Sequence, residues 1–158
     1  MTNPIQGQLQ VGNSRFAIIA SRFNDVITRR LIDGAVDCLS RHGATEEQYD
    51  IILCPGSFEI PVTAAHVIDT GRYQALICLG AVIRGDTPHF DYIAAEVTKG
   101  IAQLSLLAKL PIAFGILTTD TMEQALERAG LKQGNKGWDA ALSALEMVNL
   151  LRAISERK

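Results

Sequence analysis

Four continuous apolar runs divide this chain, and none of them alternates between apolar and polar residues. Runs of this kind are typical of strands that are covered on both faces, as in a parallel sheet. The sequence therefore predicts four buried strands, at residues 16–20, 51–54, 75–83 and 112–117.

The segments between these runs carry apolar residues at helical spacing, and three of them end at a glycine: Gly43, Gly71 or Gly130. The predicted helices cover residues 25–42, 57–70, 88–109, 121–129 and 138–155. Strands that alternate with helices indicate a doubly wound α/β fold with right-handed crossovers.

The last predicted helix is apolar over most of its circumference. Its polar residues form only a narrow stripe, which consists of Ser143, Glu146, Asn149 and Arg152. A helix that packs against the core of its own domain on one side needs a narrower apolar stripe than this helix has. The helix is either deeply buried in its own domain or in contact with another subunit on its second side, and we favour the second interpretation.

Composition and charge narrow the class of protein. With 158 residues, 47% of them hydrophobic and 20% charged, residues 1–158 are expected to form one globular domain. The net charge of −2 and the absence of a basic cluster argue against nucleic acid or an acidic membrane as partner. No signal peptide or membrane span is visible, so we expect a cytoplasmic protein. Cys38, Cys54 and Cys78 are expected to be buried free thiols.

Candidate chemistry lies in the loops that follow the predicted strands. Ligands of open α/β sheets bind outside the carboxyl ends of the strands, which meet at one edge. The side chains that would share a crevice there are Phe23, Phe58, Glu59 and His89.

Each of the first three loop residues has two interpretations. Phe23 could stack on a flat heterocycle or anchor its loop in the core. Glu59 could bind a ligand or simply favour the positive end of a helix. Ser57 could cap that helix or hold a ligand hydroxyl.

A predicted helix start near residue 88 combines a site that suits an anion with a histidine that can transfer a proton. Thr87 fits the N-cap and Pro88 the first helical position, which places His89 in the first turn. Helix N-termini bind anions, and an imidazole there can take or give a proton near neutral pH.

Two cations are further candidates. Arg128 has no carboxylate four residues away on its own helix, so it either interacts with the helix end or clamps a phosphate. Lys136 is interpreted first as a turn residue and second as a residue that binds a ligand. With three scattered histidines and no paired carboxylates, a metal site is not expected.

Motifs for dinucleotides (G-x-G-x-x-G), for Walker-type nucleotide binding and for a G-x-S-x-G nucleophile are absent from the sequence. The residues alone therefore indicate an oligomeric α/β domain that binds a planar polar molecule and an anion at one edge of its sheet.

The loop motifs, taken in order, resemble the lumazine synthase family of riboflavin biosynthesis. The resemblance covers nearly the whole chain and is carried by Ser21-Arg-Phe-Asn24, Pro55-Gly-Ser-Phe-Glu-Ile-Pro61, Gly80-Ala-Val-Ile-Arg-Gly-Asp-Thr-Pro-His-Phe-Asp-Tyr92, Phe114-Gly-Ile-Leu-Thr-Thr-Asp120, Gln124-Ala-Leu-Glu-Arg-Ala-Gly130 and Asn135-Lys-Gly137.

This resemblance implies a flavodoxin-like three-layer α/β/α sandwich with a four-stranded parallel sheet. Residues 1–12 would form an arm whose strand pairs with a neighbouring subunit. The implied enzyme is a transferase that condenses 5-amino-6-(D-ribitylamino)uracil with 3,4-dihydroxy-2-butanone 4-phosphate, without a metal or an organic cofactor. It would assemble as a pentamer or as a sixty-subunit icosahedral shell, with riboflavin synthase as a further partner. The short connection over residues 130–137 favours the shell.

The resemblance also assigns roles by position. His89 would transfer protons. The residues that would bind the pyrimidine and its ribityl chain are Phe23, Ser57, Phe58, Glu59, Ala81, Val82, Ile83 and Phe114. Those that would bind the phosphate are Asp86, Thr87 and Arg128. Arg84 and Lys136 are further candidates, and Phe114 and Arg128 would reach the site from the neighbouring subunit.

One position departs from the family, because many members have a small uncharged residue where this chain has Asp86. An inward carboxylate would repel phosphate, so Asp86 is expected to point away. Three rival functions are a flavin-binding module, a related riboflavin-forming enzyme with the same fold, and a structural shell protein with a vestigial site. The first would need a Ser/Thr/Gly-rich phosphate loop after the first strand, which is absent.

Overall fold

The structure is a computed structural model that describes residues 2–131 and 134–157. Each predicted strand and helix is present. The elements are β1 Phe16–Ser21, α1 Asp25–Arg41, β2 Tyr49–Cys54, α2 Ile60–Asp69, β3 Ala75–Ile83, α3 His89–Ala108, β4 Ile112–Thr119, α4 Met122–Arg128 and α5 Lys136–Glu156. Single 3₁₀ turns precede β2 and α2, at Glu46–Gln48 and Ser57–Glu59.

The four strands form one parallel sheet in the order β2-β1-β3-β4. Helices α1, α4 and α5 pack on one face, and α2 and α3 pack on the other. This is a flavodoxin-like α/β fold with three layers, as the family resemblance implies, and it agrees with the doubly wound fold that the alternation of strands and helices predicts. Because the chain reverses its direction of winding between β1 and β3, a crevice opens at the carboxyl ends of these two strands.

Burial on both faces explains the continuous apolar runs of the two central strands, but the two edge strands are partly exposed. All six residues of β1 are buried, and so are the first eight of β3. The edge strand β2 differs, because Ile51 and Leu53 are 45% and 53% exposed. On the opposite edge, Phe114 of β4 is 44% exposed. The prediction that every strand is covered on both faces is therefore wrong for both edge strands, β2 and β4, within a single chain.

Helix α5 begins two residues earlier than predicted, at Lys136, because Asn135 caps it. The Asn135 side chain accepts hydrogen bonds from the backbone N–H groups of Gly137 and Trp138. The start of α5 lies directly on α1, since a Cβ at Gly137 would overlap the carbonyl oxygen of Leu31. Glycine at this position is thus a packing requirement.

We expect Gly137→Ala to destabilise the fold by about 1–3 kcal/mol, because the two helix backbones must separate to admit the methyl group. Unfolding in urea measures the change. Ser143→Ala, on the exposed side of the same helix, is the control and should stay within about 0.5 kcal/mol of the parent. A Gly137→Ala variant as stable as the control would show that α1 and α5 do not pack this closely.

The outer side of α5 stays apolar and uncovered, since Met147 and Ile154 are 39% and 52% exposed. The alternative that α5 is deeply buried in its own domain is therefore wrong. None of the helices within the described ranges is both long and apolar enough to cross a membrane.

The N-terminal arm lies along α5 and forms no strand within residues 2–12. The Asn149 side chain donates hydrogen bonds to the carbonyls of Gln8 and Gln10, and Gly7 packs against the backbone of Glu146. The pairing of this arm with another subunit stays a prediction. The connection over residues 130–137, which the sequence suggests is short, includes residues 132 and 133, which lie outside the described residues.

Candidate active site

A cavity of about 610 Å³ opens at the carboxyl ends of β1 and β3. The loops that follow β1, β2 and β3 form its walls, and the start of α3 closes one side. Its lining residues are Phe23, Asn24, Pro55, Gly56, Ser57, Phe58, Glu59, Ala81, Val82, Ile83, Gly85, Thr87, His89, Phe90 and Ile93. The structure thus brings Phe23, Phe58, Glu59 and His89 into one crevice.

The Asn24 side chain and backbone hold Phe23 at the cavity. Asn24 has a left-handed backbone conformation (φ 61°, ψ 48°), and its Nδ2 donates to the carbonyl of Ala81 at 3.0 Å. Phe23 N–H in turn donates to the carbonyl of Pro55 at 3.1 Å. The Phe23 ring is 70% exposed, so the alternative that it anchors the loop in the core is wrong.

Sequence reasoning missed Asn24 as a lining residue. Asn is one of the few residue types that tolerate a positive φ, which here turns the chain from β1 into α1. An asparagine in a loop directly after a strand was therefore the sequence feature that could have identified Asn24 as a lining residue.

The loop after β2 forms the opposite wall. Ser57 is the first residue of the turn Ser57–Glu59 and is 7% exposed. Gly56 occupies the N-cap position of this turn, so the interpretation of Ser57 as an N-cap is wrong. The Ser57 Oγ occupies space beside Gly80, where a Cβ would come within 2.7 Å of it. The Phe58 ring is 58% exposed and contributes apolar surface to the cavity.

Cys54 is buried next to this wall and does not line the cavity. Its Sγ donates to the carbonyl of Gly56 at 3.4 Å. Burial raises the pKa of the Cys54 thiol above its usual value, so the reactive thiolate is disfavoured. All three cysteines are free and buried, as the sequence predicts.

The third wall joins the end of β3 to the start of α3. Helix α3 begins at His89 with Pro88 at the cap position, and no side chain caps it. The expectation that Thr87 is the N-cap and Pro88 the first helical residue is therefore wrong by one position. In the first turn of α3, Asp91 N–H donates to the carbonyl of Pro88 at 3.0 Å. The N–H groups of His89 and Phe90 precede it at the helix start, which suits an anion beside Thr87 and His89.

Arg84 does not line the cavity. Its guanidinium donates to Asp120 at 2.8 Å, lies 3.6 Å from Asp91 and sits 4.5 Å above the ring of Phe90. The hydrogen bond with Asp120 raises the pKa of Arg84 above its usual value. Arg84 thus tethers the β3–α3 loop to the end of β4 and is not placed as a phosphate ligand.

Three other candidates also lie outside the cavity of their own chain. Asp86 is exposed and does not line the cavity, which agrees with an outward carboxylate. Arg128 Nη1 donates to the carbonyl of Gln124 at 3.2 Å. Lys136 is the first residue of α5, so its interpretation as a turn residue is wrong.

Phe114 faces a separate apolar groove of about 750 Å³ at the β4 edge of the sheet. This groove runs between the C-terminal parts of α3 and α5, and its lining includes Met147 and Ile154. The Phe114 ring is 44% exposed there.

Among the residues that the structure describes, no three His, Cys, Asp or Glu side chains are grouped so that they could hold a metal ion. The lining of the cavity is mainly apolar and aromatic, with a small number of polar groups. This is the usual chemistry of a site for a small organic molecule.

Comparison with known proteins decides the family. Residues 13–152 match the family described as 6,7-dimethyl-8-ribityllumazine synthase. The chain belongs to this family. Members of the family are transferases of riboflavin biosynthesis, so the chain is an enzyme of that class.

Three named relatives are similar to this chain over nearly its full length. The chain is 60% identical over 148 residues to the 6,7-dimethyl-8-ribityllumazine synthase of Chlorobium luteolum, covering 94% of this chain and 96% of that protein. It is 58% identical over 150 residues to the enzyme of the same name from Prosthecochloris aestuarii, with 95% and 97% covered. The enzyme of the same name from Chloroherpeton thalassium is 58% identical over 148 residues, with 94% and 96% covered.

Proposed function

We propose that the chain condenses 5-amino-6-(D-ribitylamino)uracil with 3,4-dihydroxy-2-butanone 4-phosphate to form 6,7-dimethyl-8-ribityllumazine in the cavity described above. The observation that carries this proposal is the meeting of Phe23, Ser57, Glu59 and His89 around one cavity in a member of this family.

The three parts of the two substrates suit three parts of the cavity. A flat uracil suits the exposed face of Phe23, with its polar edge at the backbone of Ala81, Val82 and Ile83. The ribityl hydroxyls suit Ser57 and Glu59, beside the ring of Phe58. A phosphate suits the uncapped start of α3 and the N–H groups of Asp86 and Thr87.

The chemistry then needs proton transfer and close positioning. The pyrimidine amine attacks the ketone, and loss of water gives an imine. Phosphate leaves after a proton is removed from the carbon chain, and ring closure with loss of a second water gives the lumazine. His89 is the lining side chain placed to move these protons beside the phosphate. Much of the rate comes from holding both substrates in register, because the amine is already nucleophilic.

We infer that the site is completed by a second copy of the chain. Arg128 would supply the cation for the phosphate, with Lys136 as a further candidate, and Phe114 would close the pyrimidine site. Each lies outside the cavity of its own chain. The whole chain would act as one catalytic domain with residues 1–12 as its arm, in the cytoplasm, with riboflavin synthase as a possible partner for its product.

An assay with the two substrates tests the function directly. We expect lumazine fluorescence to appear only when both substrates are present, and EDTA to leave the rate unchanged. Incubation with lumazine alone tests the rival riboflavin-forming reaction and should give no product. Riboflavin formed from lumazine alone would overturn the proposal, and a rate that falls with EDTA and returns with a divalent ion would overturn the metal-free mechanism.

The exposed apolar side chains of α3 and α5 predict an oligomer. Leu106 and Leu107 on α3 are 79% and 83% exposed, and the apolar side of α5 is uncovered. We expect light scattering to give the mass of a pentamer or of a sixty-subunit shell, with the shell favoured. A monodisperse and fully active monomer would contradict both the oligomer and the shared site.

A further inference from the structure

We propose that Asn135 is a positioning residue that holds the end of α4 and thereby aims Arg128 at the phosphate. The proposal deepens the function proposed above and rests on the role of Arg128 given there.

Asn135 joins three helices with one side-chain amide. Its Oδ1 accepts hydrogen bonds from Gly137 N–H at 2.8 Å and from Trp138 N–H at 3.1 Å, at the start of α5. Its Nδ2 donates to the carbonyl of Arg30 in α1 at 2.9 Å and to the carbonyl of Ala129 after α4 at 3.2 Å. Both donors and the acceptor of the amide are thus used.

The bond to Ala129 matters for Arg128 because the two residues are adjacent. Helix α4 has only seven residues, so its geometry depends on what holds its two ends. The capping box of Thr121 and Gln124 holds the first end. At the second end Asn135 bonds the carbonyl of Ala129, and an isolated antiparallel bridge joins the same two residues. The direction of the last turn, which carries Arg128, is therefore set by Asn135.

Glycines surround this amide and leave room for it. A Cβ at Gly34 in α1 would overlap Oδ1 of Asn135. Gly130 has a left-handed backbone (φ 107°), and a Cβ there would lie 3.3 Å from Nδ2. Only asparagine among the short side chains both caps α5 through its oxygen and bonds two carbonyls through its nitrogen.

The test compares the assembled wild-type enzyme with Asn135→Ser, which keeps an oxygen for the cap but cannot reach the two carbonyls. We expect the KM for the butanone phosphate to rise roughly three- to tenfold, with the KM for the pyrimidine unchanged. In an Arg128→Ala background, Asn135→Ser should have no further effect on the phosphate KM, because the two residues act through one contact.

A second variant disturbs the hydrogen bonds of the Asn135 amide without changing Asn135 itself. Gly34→Ala places a methyl group against the Asn135 amide, while Ala itself is favoured over Gly inside a helix. It should reproduce the selective rise in the phosphate KM, so the proposal stays testable if Asn135→Ser fails to fold. Gln48→Ser is the matched control, because the Gln48 amide also bonds two carbonyls, of Gly12 and Ser14, at the far end of the sheet. The control should leave both KM values unchanged.

The outcomes separate this proposal from the proposed function. A phosphate KM that rises in Arg128→Ala but not in Asn135→Ser or Gly34→Ala would overturn the role of Asn135 alone. Equal effects on both KM values, or an undiminished effect of Asn135→Ser in the Arg128→Ala background, would show a merely structural role and overturn it as well. A phosphate KM unchanged by Arg128→Ala would overturn the proposed role of Arg128, and that of Asn135 with it.

Discussion

Replacement of His89 by alanine is expected to lower kcat about a hundredfold or less without abolishing turnover. General acid–base catalysis typically contributes about 10²–10⁴-fold, and a reaction that begins with a nucleophilic amine should lie at the low end. The cavity, the stacking surface of Phe23 and the start of α3 remain in the variant, so the positioning of both substrates is retained. Single-turnover measurements, in which chemistry limits the rate, give the effect.

His66 provides the matched control for this experiment, because it is an exposed histidine on α2 and does not line the cavity. His66→Ala should keep the wild-type kcat. A His89→Ala variant with wild-type kcat under the same conditions would remove His89 from the mechanism and leave positioning as the main source of catalysis.

Arg128→Ala is expected to raise the KM for the butanone phosphate roughly ten- to a hundredfold. A charge-assisted hydrogen bond contributes about 1.5–3 kcal/mol to binding. The bound phosphate has lost part of its hydration, so its affinity depends on this hydrogen bond. The affinity for the pyrimidine should change little, because Arg128 is assigned only to the phosphate. Steady-state kinetics with each substrate varied in turn measure both values.

The control is Arg41→Ala, which removes an exposed arginine that pairs with Asp37 on its own helix. Exposed pairs of this kind contribute little to stability, so both KM values should stay unchanged. If Arg128→Ala weakens pyrimidine binding and keeps the phosphate KM, the phosphate has another cation.

The proposed sharing of the site between two subunits links these predictions to assembly. Because Arg128 lies outside the cavity of its own chain, mixed oligomers of Arg128→Ala and His89→Ala chains should recover part of the activity that each variant lacks. Some cavities would then receive an intact histidine from one chain and an intact arginine from the other.

The strands, the helices and the edge of the sheet that carries the candidate site could all be predicted from the pattern of residues. Apolar runs and helical spacing report burial, and burial is the dominant local constraint on strands such as β1 and β3. The residues after each strand are then placed at one edge by topology alone, since parallel strands end together. For that reason Phe23, Glu59 and His89 could be expected in one crevice before the fold was seen.

The order of the strands and the partners of individual side chains could not be predicted in this way and became visible with the folded chain. Arg84 and Asp120 are 36 positions apart along the chain, yet their hydrogen bond turns Arg84 from a candidate ligand into a tether. The contact of Asn135 with Arg30 joins residues 105 positions apart. Periodicity reports whether a residue is buried but not which distant segment it meets. Packing of the whole chain selects those partners, and through them the direction of each functional side chain.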